Sequence, residues 1–181
     1  LDATIEEMFA SYARYWVDSF RLPTLSAQAI DEGMDVEGLE HLCDAVDAGL
    51  GPIMALPHLG GWEWAGFWLS RVAGFGVTAV VEPLDPPELF EFFAGFREAL
   101  GMQIVPLGPT AAPAVIRALR EARVLCLLCD RDIEGTGTEV EFFGERTTLP
   151  SGPATIALRT GAPLLPTACY FKPVAGIHRV V

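Results

Sequence analysis

Short apolar runs alternate with helically patterned segments along most of this chain, and this alternation constrains its fold more than any other feature. The apolar runs are bounded by Gly, Pro or polar residues, and they lie at 52–57, 77–81, 103–106 and 124–129. Runs of this length are typical of buried strands in a parallel sheet. Helical patterns fill the intervals, at 62–72, 86–100 and 110–122. The sequence therefore predicts an α/β fold with a mostly parallel central sheet and helices on both faces.

Both ends of the chain continue this pattern. Apolar residues at helical spacing predict an amphipathic helix over 5–20, ending near Pro23, whose stripe either packs on the core or contacts a membrane. At 181 residues the chain has the size of a single domain. The remaining predictions are helices at 39–48 and 153–160, strands at 139–143, 164–171 and 177–181, and no assignment for 29–36.

The charge balance excludes one class of partner. The chain carries 24 acidic and 12 basic residues, a net charge of −12, and no basic patch, so nucleic acid is not expected to bind. The same charge argues against simple electrostatic attraction to anionic lipid. A membrane contact would use apolar surface, for which an apolar content of 51% and 11 Phe leave room. The sequence predicts no transmembrane helix, because no apolar run reaches about eighteen residues.

Four cysteines, at 43, 126, 129 and 169, do not predict a disulfide scaffold. Cys126 and Cys129 have metal-ligand spacing, but they lie in a predicted strand, where positions three apart point to opposite faces. They are interpreted as buried apolar thiols, which fits a reducing, cytoplasmic compartment.

The segment from His58 to Glu63 (HLGGWE) is the strongest candidate for chemistry. It follows a predicted strand and opens a predicted helix, which is where ligands bind in open α/β sheets. An imidazole there can take a proton from a hydroxyl near neutral pH, and a carboxylate can fix its tautomer. Gly60 and Gly61 would let the backbone approach a substrate closely. A purely structural histidine in the loop is the alternative.

Further polar residues follow predicted strands. Glu82 and Asp130 each come directly after one, and the carboxyl ends of parallel strands meet at one edge of a sheet. Together with His58 they predict an acid–base site at that edge. The sequence from 130 to 137 (DRDIEGTG) is weak evidence for a metal or a phosphate loop, so no metal is predicted. Arg131 is expected to pair with a carboxylate and fix the loop.

Five stretches of the chain give a more specific signal together than any one motif. They are SYARYWVDSFRLP (11–23), ALPHLGGWEWAGFW (55–68), FREALGMQIVPLG (96–108), LCDRDIEGTGTEVEFFGERTTLPSGPA (128–154) and TGAPLLP (160–166). In order and spacing the chain resembles the bacterial lysophospholipid and lipid A-type acyltransferase superfamily. It is most similar to the actinobacterial phosphatidylinositol mannoside acyltransferases. The resemblance implies a glycerolipid acyltransferase-like fold.

This resemblance implies roles for particular residues. His58 would be the general base that deprotonates an acceptor hydroxyl, and Asp130 would hold and charge-balance it, with Glu63 as a nearer alternative that holds the loop. Glu82 and Arg97 would form an acceptor-side or site-bracing pair, for which a surface salt bridge is the alternative. Gly60, Gly61 and Arg131 complete the expected substrate-binding residues. The segment 142–153 would line the donor and acyl-chain pocket or be a simple turn.

The implied reaction needs no cofactor, because acyl-CoA serves as a co-substrate. A membrane glycolipid would be the acceptor, and the enzyme would be peripheral, on the cytoplasmic face of the plasma membrane. Two departures from the family pattern each change a carboxylate's reach by one methylene: Glu63 replaces an aspartate and Asp130 replaces a glutamate. The chain starts at Leu1 and stops in a strand-like segment, so residues 1–181 are expected to be one acyltransferase domain truncated at both ends.

Three rival functions follow from the same residues. A lipid A-type acyltransferase would take its chain from acyl carrier protein, although an acidic enzyme is a poor docking surface for an acidic carrier. A non-catalytic lipid-binding module would keep the fold without turnover. A hydrolase would use the same histidine with water in place of the acceptor.

Overall fold

A computed structural model of the chain describes residues 1–133, 135–174 and 177–181. The strands are β1 (Met34–Val36), β2 (Ile53–Leu56), β3 (Val77–Val81), β4 (Met102–Pro106), β5 (Val124–Leu128), β6 (Thr138–Phe142), β7 (Glu145–Leu149), β8 (Leu164–Pro166), β9 (Cys169–Phe171) and β10 (His178–Val180). The α-helices are α1 (Asp2–Arg21), α2 (Ala27–Glu32), α3 (Leu39–Asp47), α4 (Trp62–Phe67), α5 (Pro87–Ala99), α6 (Ala111–Arg120) and α7 (Gly152–Thr160).

Five strands form an all-parallel central sheet in the order β4-β3-β5-β2-β8. The predicted α/β class is confirmed, and so are the positions of its four apolar strands. The strand order places β5 between β3 and β2, so the chain returns to the middle of the sheet after building one side. Such a reversal opens a crevice at the carboxyl ends of the strands.

Helices cover both faces of this sheet because its strands are apolar on both sides. On one face, Ile53 and Leu125 pack with Val115 and Leu119 of α6. On the other face, Met54 belongs to a larger cluster to which α2 to α5 contribute. Alternate residues of β2 and β5 thus point into two separate cores, as continuous apolar strands of a covered parallel sheet must.

A second, three-stranded sheet of order β1-β10-β9 was not predicted. The predicted strand over 164–171 is two strands: β8 belongs to the central sheet, and β9 pairs with β10. The unassigned segment 29–36 forms most of α2 and all of β1. These elements are short and mixed in composition, so hydrophobic periodicity alone does not reveal them.

Two further predictions were wrong in part. The helix predicted over 62–72 is α-helical only to Phe67 and continues as one wider π-helical turn, Trp68–Val72. Residues 145–149, expected within a turn, form β7, which pairs with β6 as an exposed hairpin. Its sequence, ERTTL, has few apolar residues, so the pairing partner rather than burial defines the strand.

The helix α1 combines two environments. Tyr15 stacks on Trp62, and Trp16 contacts Phe93 in a tilted arrangement, so this part of the helix packs on the body of the protein. Other apolar side chains of α1 are exposed, namely Ile5, Met8, Phe9, Tyr12, Val17 and Phe20. In the described part of the chain, no helix has both the length and the apolar content needed to cross a bilayer.

Candidate active site

The register of the central sheet brings His58 and Asp130 together. Strands β2 and β5 are parallel neighbours in which Leu56 is opposite Leu128. His58 and Asp130 each lie two residues beyond this pair, at the carboxyl edge of the sheet. Residues 72 positions apart in the chain therefore become hydrogen-bonded neighbours.

Asp130 binds His58 through both of its carboxylate oxygens. The His58 backbone N–H donates to Asp130 Oδ2 at 3.0 Å, and His58 Nδ1 lies 2.7 Å from Oδ1. Because an ionised carboxylate only accepts, this contact assigns the ring proton to Nδ1. Nε2 is then left as an acceptor. The side chains keep 38% and 34% of their exposure, so a substrate can reach the pair.

The contacts from His58 also keep Asp130 ionised. Partial burial tends to raise the pKa of the Asp130 carboxyl, but hydrogen bonds from the His58 amide and ring outweigh it, so the pKa is lowered. A carboxylate in this position fixes the imidazole tautomer and stabilises the imidazolium that forms when Nε2 takes a proton. The pair has the geometry of a general base with its orienting group.

Glu63 is not the partner of His58. Its carboxylate pairs with Arg97, whose Nη2 donates to Oε1 and whose Nε lies 3.0 Å and 3.3 Å from Oε1 and Oε2. Tyr15 donates to the same Oε1 at 3.4 Å. The Glu63 and Arg97 side chains retain only 3% and 13% of their exposure. Glu63 is thus fixed in the core beneath the loop, where its carboxylate contacts Arg97 and Tyr15 instead of acting beside His58 as a catalytic residue.

The expected pairing of Glu82 with Arg97 is also corrected. Arg97 turns inward from α5 to Glu63, whereas Glu82 is exposed just after β3. The reason is burial: the Glu63 carboxylate lies in the core and requires a cation there. Glu82 remains at the carboxyl edge of the sheet, after β3, which is separated from β2 by β5. Its substrate-binding role stays a prediction.

Two aromatic residues that the sequence analysis did not single out form a layer on one side of the histidine, with Trp62 next to it and Tyr15 behind Trp62. Trp62 meets the His58 ring edge to face, with centroids 6.0 Å apart, and stacks on Tyr15 at 5.4 Å. The Arg97 guanidinium lies 5.6 Å from the Trp62 ring centroid. Burial and Glu63 together raise the pKa of the Tyr15 hydroxyl, which keeps it protonated as a donor. Tyr15 lies in the motif SYARYW and Trp62 in the motif HLGGWE, and these motifs were the available sequence evidence that the two residues belong to the site.

Packing explains both glycines of the loop. Gly60 has φ +59°, and a methyl group built on it would lie 2.4 Å from the Cys169 carbonyl oxygen. A methyl group on Gly61 would lie 2.0 Å from Nδ1 of His178. The loop therefore rests directly on β9 and β10, and only glycine fits at either position. Their expected contact with substrate stays a prediction.

Arg131 is exposed next to Asp130 at the mouth of the site. The second aspartate of the motif, Asp132, shapes the following loop: it accepts from the amides of Thr136 and Gly137 and from the Thr148 hydroxyl at 2.7 Å. It thereby joins the loop to β7. Within the described ranges, no three His, Cys, Asp or Glu side chains cluster as metal ligands would.

An apolar cavity of about 170 Å³ lies beside the sheet on the face that α3 and α4 cover. Part of its wall is formed by Met54 of β2 and Ala65 of α4. Pro166 and Thr167, at the carboxyl end of β8, form another part. Since β8 pairs with β2, this second part of the wall lies toward the carboxyl side of the sheet, and neither His58 nor Asp130 lines the cavity.

A parallel α/β sheet with a histidine–carboxylate pair at its carboxyl edge can activate a hydroxyl group, as enzymes of the acyltransferase class do. Comparison with known families agrees: the model described as "Bacterial lipid A biosynthesis acyltransferase" matches residues 2–180. The chain belongs to this family of bacterial acyltransferases. The resemblance inferred from its motifs is confirmed.

Comparison with individual curated proteins gives a more specific similarity than the family model does. The phosphatidylinositol mannoside acyltransferases of two strains of Mycobacterium tuberculosis are each 46% identical over 167 residues, covering 90% of this chain. The enzyme of that name from Mycolicibacterium smegmatis is 43% identical over 174 residues, covering 94% of this chain. These alignments cover 52% and 57% of the relatives, so the chain spans about half their length.

Proposed function

We propose that the protein transfers a fatty acyl chain from acyl-CoA to a mannose hydroxyl of a phosphatidylinositol mannoside. The observation that carries the proposal is the His58–Asp130 pair, which leaves Nε2 free at the edge of the sheet. The names of the mycobacterial relatives support the acceptor. The family name alone would equally suit another glycolipid hydroxyl.

The geometry supports a direct transfer. His58 Nε2 takes the proton of the acceptor hydroxyl as its oxygen forms a bond to the thioester carbonyl carbon. The tetrahedral intermediate collapses and the carbon–sulfur bond breaks. The proton held on Nε2 then passes to the departing thiolate. Asp130 stabilises the imidazolium between these steps. The product is an ester and free coenzyme A, and His58 is neutral again.

The apolar cavity beside β2 and β8 is our candidate for the inner part of the acyl-chain site. It is mostly apolar, as sites for hydrocarbon ligands are. The donor is assigned to coenzyme A rather than to acyl carrier protein because the chain's net charge of −12 would repel an acidic carrier.

The lipid acceptor makes a peripheral membrane position part of the proposal. Exposed apolar residues of α1 and the exposed Leu89 and Phe92 of α5 provide surface for it. Because the charge of the chain is unfavourable for anionic lipid, this contact would depend on apolar burial and little on salt. We propose the cytoplasmic face of the plasma membrane as the location.

The deciding assay uses the complete polypeptide with palmitoyl-CoA, with and without a mannosylated phosphatidylinositol. Thiol release is followed, and the lipid product is identified by mass. Acceptor-dependent release with a mass gain of one acyl chain supports the proposal. Release without acceptor indicates a thioesterase. No release from coenzyme A, but transfer from acyl carrier protein, assigns the alternative donor.

A further inference from the structure

We propose that His178, far from His58 in sequence, is a positioning residue for the catalytic loop. The inference rests on the proposed function, because the loop matters through the reaction of His58. His178 lies in β10 and is fully buried, and Gly61, in the loop that follows His58, is packed directly against its ring.

The contact at Gly61 is steric and close. A methyl group on Gly61 would lie 2.0 Å from Nδ1 and 2.5 Å from Cε1 of His178, so the loop backbone rests on the edge of the imidazole. Gly61 has φ −98°, a value that any residue can adopt. The requirement for glycine at this position therefore comes from His178 and not from backbone strain.

Neighbours hold the imidazole on its other sides. Trp64 stacks on its face with ring centroids 4.4 Å apart, and Phe171 lies at 5.5 Å. The His178 backbone N–H donates to the Gly33 carbonyl at 2.8 Å. Trp64 is fixed in turn by donating to the Ile30 carbonyl at 3.0 Å. The ring is thus a rigid surface against which the loop is set.

The imidazole does not act as a charged partner. Burial lowers the pKa of His178 to about 4 despite the carboxylate of Asp18, whose Oδ2 lies 3.5 Å from Nε2. Asp18 is matched instead by Arg14, with Nε to Oδ2 at 3.3 Å. Among the described residues, neither ring nitrogen of His178 has a hydrogen-bond partner. Its contribution near neutral pH is its shape.

The position of Gly61 determines the placement of site residues that precede it and that follow it in the sequence. Three residues before it, the His58 amide and ring must meet Asp130. Immediately after it, Trp62 packs its ring against His58, and Glu63 begins the buried ion pair. A shift of the loop toward a space left by His178 would move His58 relative to Asp130. Misplacement of a reacting group by about 1 Å can lower a rate about 100-fold.

The test is a double-mutant cycle between His178→Ala and Gly61→Ala in the complete polypeptide. In the wild-type background, Gly61→Ala should lower kcat about 100-fold, because the methyl group displaces the loop. In the His178→Ala background the methyl group has room, so Gly61→Ala should change kcat less than about threefold. Alone, His178→Ala should lower kcat about tenfold and leave KM for acyl-CoA within about twofold. Gly95→Ala, at a glycine with open space around it, is the matched control.

A second measurement separates this inference from the proposed function. Amide hydrogen exchange over residues 58–63 should rise in Gly61→Ala and fall back in the double variant, whether or not acyl transfer is detected. His178→Asn, which keeps a planar polar group, serves if His178→Ala does not fold. Wild-type exchange and kcat in the folded His178 variants would overturn the inference, as would additive effects in the cycle. Absence of transfer in the wild type, with the exchange pattern intact, would overturn the proposed function alone.

Discussion

Two pairs of a basic side chain with a carboxylate, His58–Asp130 and Arg97–Glu63, lie in opposite environments. His58 and Asp130 retain 38% and 34% of their side-chain exposure, whereas Arg97 and Glu63 retain 13% and 3%. The exposed pair can exchange protons with a substrate, and its hydrogen bonds fix a tautomer. The buried pair is desolvated, so its members stay charged only by holding each other. His58 and Glu63 are five residues apart, yet they pair with different partners, so proximity in sequence does not identify the partner of His58.

The largest effect should come from removing the base. We expect His58→Ala to lower kcat at least 1000-fold, about 4 kcal/mol of transition-state stabilisation, because general base catalysis is lost. The thermal unfolding midpoint should change little, since the side chain is partly exposed. Substantial turnover by the folded variant would remove His58 from the mechanism.

Breaking the buried pair should affect stability instead. Glu63→Gln leaves the Arg97 charge without compensation, and we expect the free energy of unfolding to fall by about 3 kcal/mol in urea titration. Glu98→Gln, an exposed carboxylate next to Arg97 in sequence, is the control and should change it by less than about 0.5 kcal/mol. Equal effects of the two substitutions would show that the Glu63 pair is not desolvated in solution.

Removing the orienting carboxylate should give a smaller loss of rate. Asp130→Asn should lower kcat about 100-fold, about 2.7 kcal/mol, because the imidazolium loses its stabilising charge. Asp130→Glu should keep kcat within about tenfold if the reach of the carboxylate can adjust. If Asp130→Asn leaves the kinetics unchanged, the partner of His58 must be sought elsewhere.

The pH profile sharpens the same point. Because the pKa of Asp130 in the folded protein lies below its ordinary value of 3.8, its stabilising contribution is complete above pH 3.8 and is lost as the pH falls through the folded value. Titration of Asp130 should therefore not limit kcat/KM at pH values well above 3.8. A loss of kcat/KM in that range that is seen in wild type and is absent from Asp130→Asn would contradict this expectation.

The smallest effect concerns the hydroxyl that touches the buried pair. Tyr15→Phe removes one long hydrogen bond to Glu63 and keeps the stacking on Trp62, so we expect destabilisation of at most about 1 kcal/mol. Chemical denaturation measures it. A loss as large as that from Glu63→Gln would mean that Tyr15, rather than Arg97, holds the carboxylate.

The sequence predicted the central sheet well because apolar strands buried on both faces carry a strong local signal. It could not reveal that β2 lies beside β5, which is the fact that joins His58 to Asp130. The preference for Asp130 over Glu63 came from family resemblance and from the length of the loop. The pairing of Arg97 was missed because burial of Glu63 depends on α1 and α5, which contact it across 48 and 34 residues of sequence. The short strands β1 and β7 depend on their partners and have no apolar periodicity of their own.

The register between β2 and β5 has a kinetic consequence. A pair drawn from positions 72 residues apart forms only after the intervening strands and helices have closed a long loop, which is a slow, non-local step in folding. Partly folded chains thus lack the His58–Asp130 pair, although each contains His58. During synthesis, this pair can form only after residue 130 has left the ribosome and the central sheet has assembled.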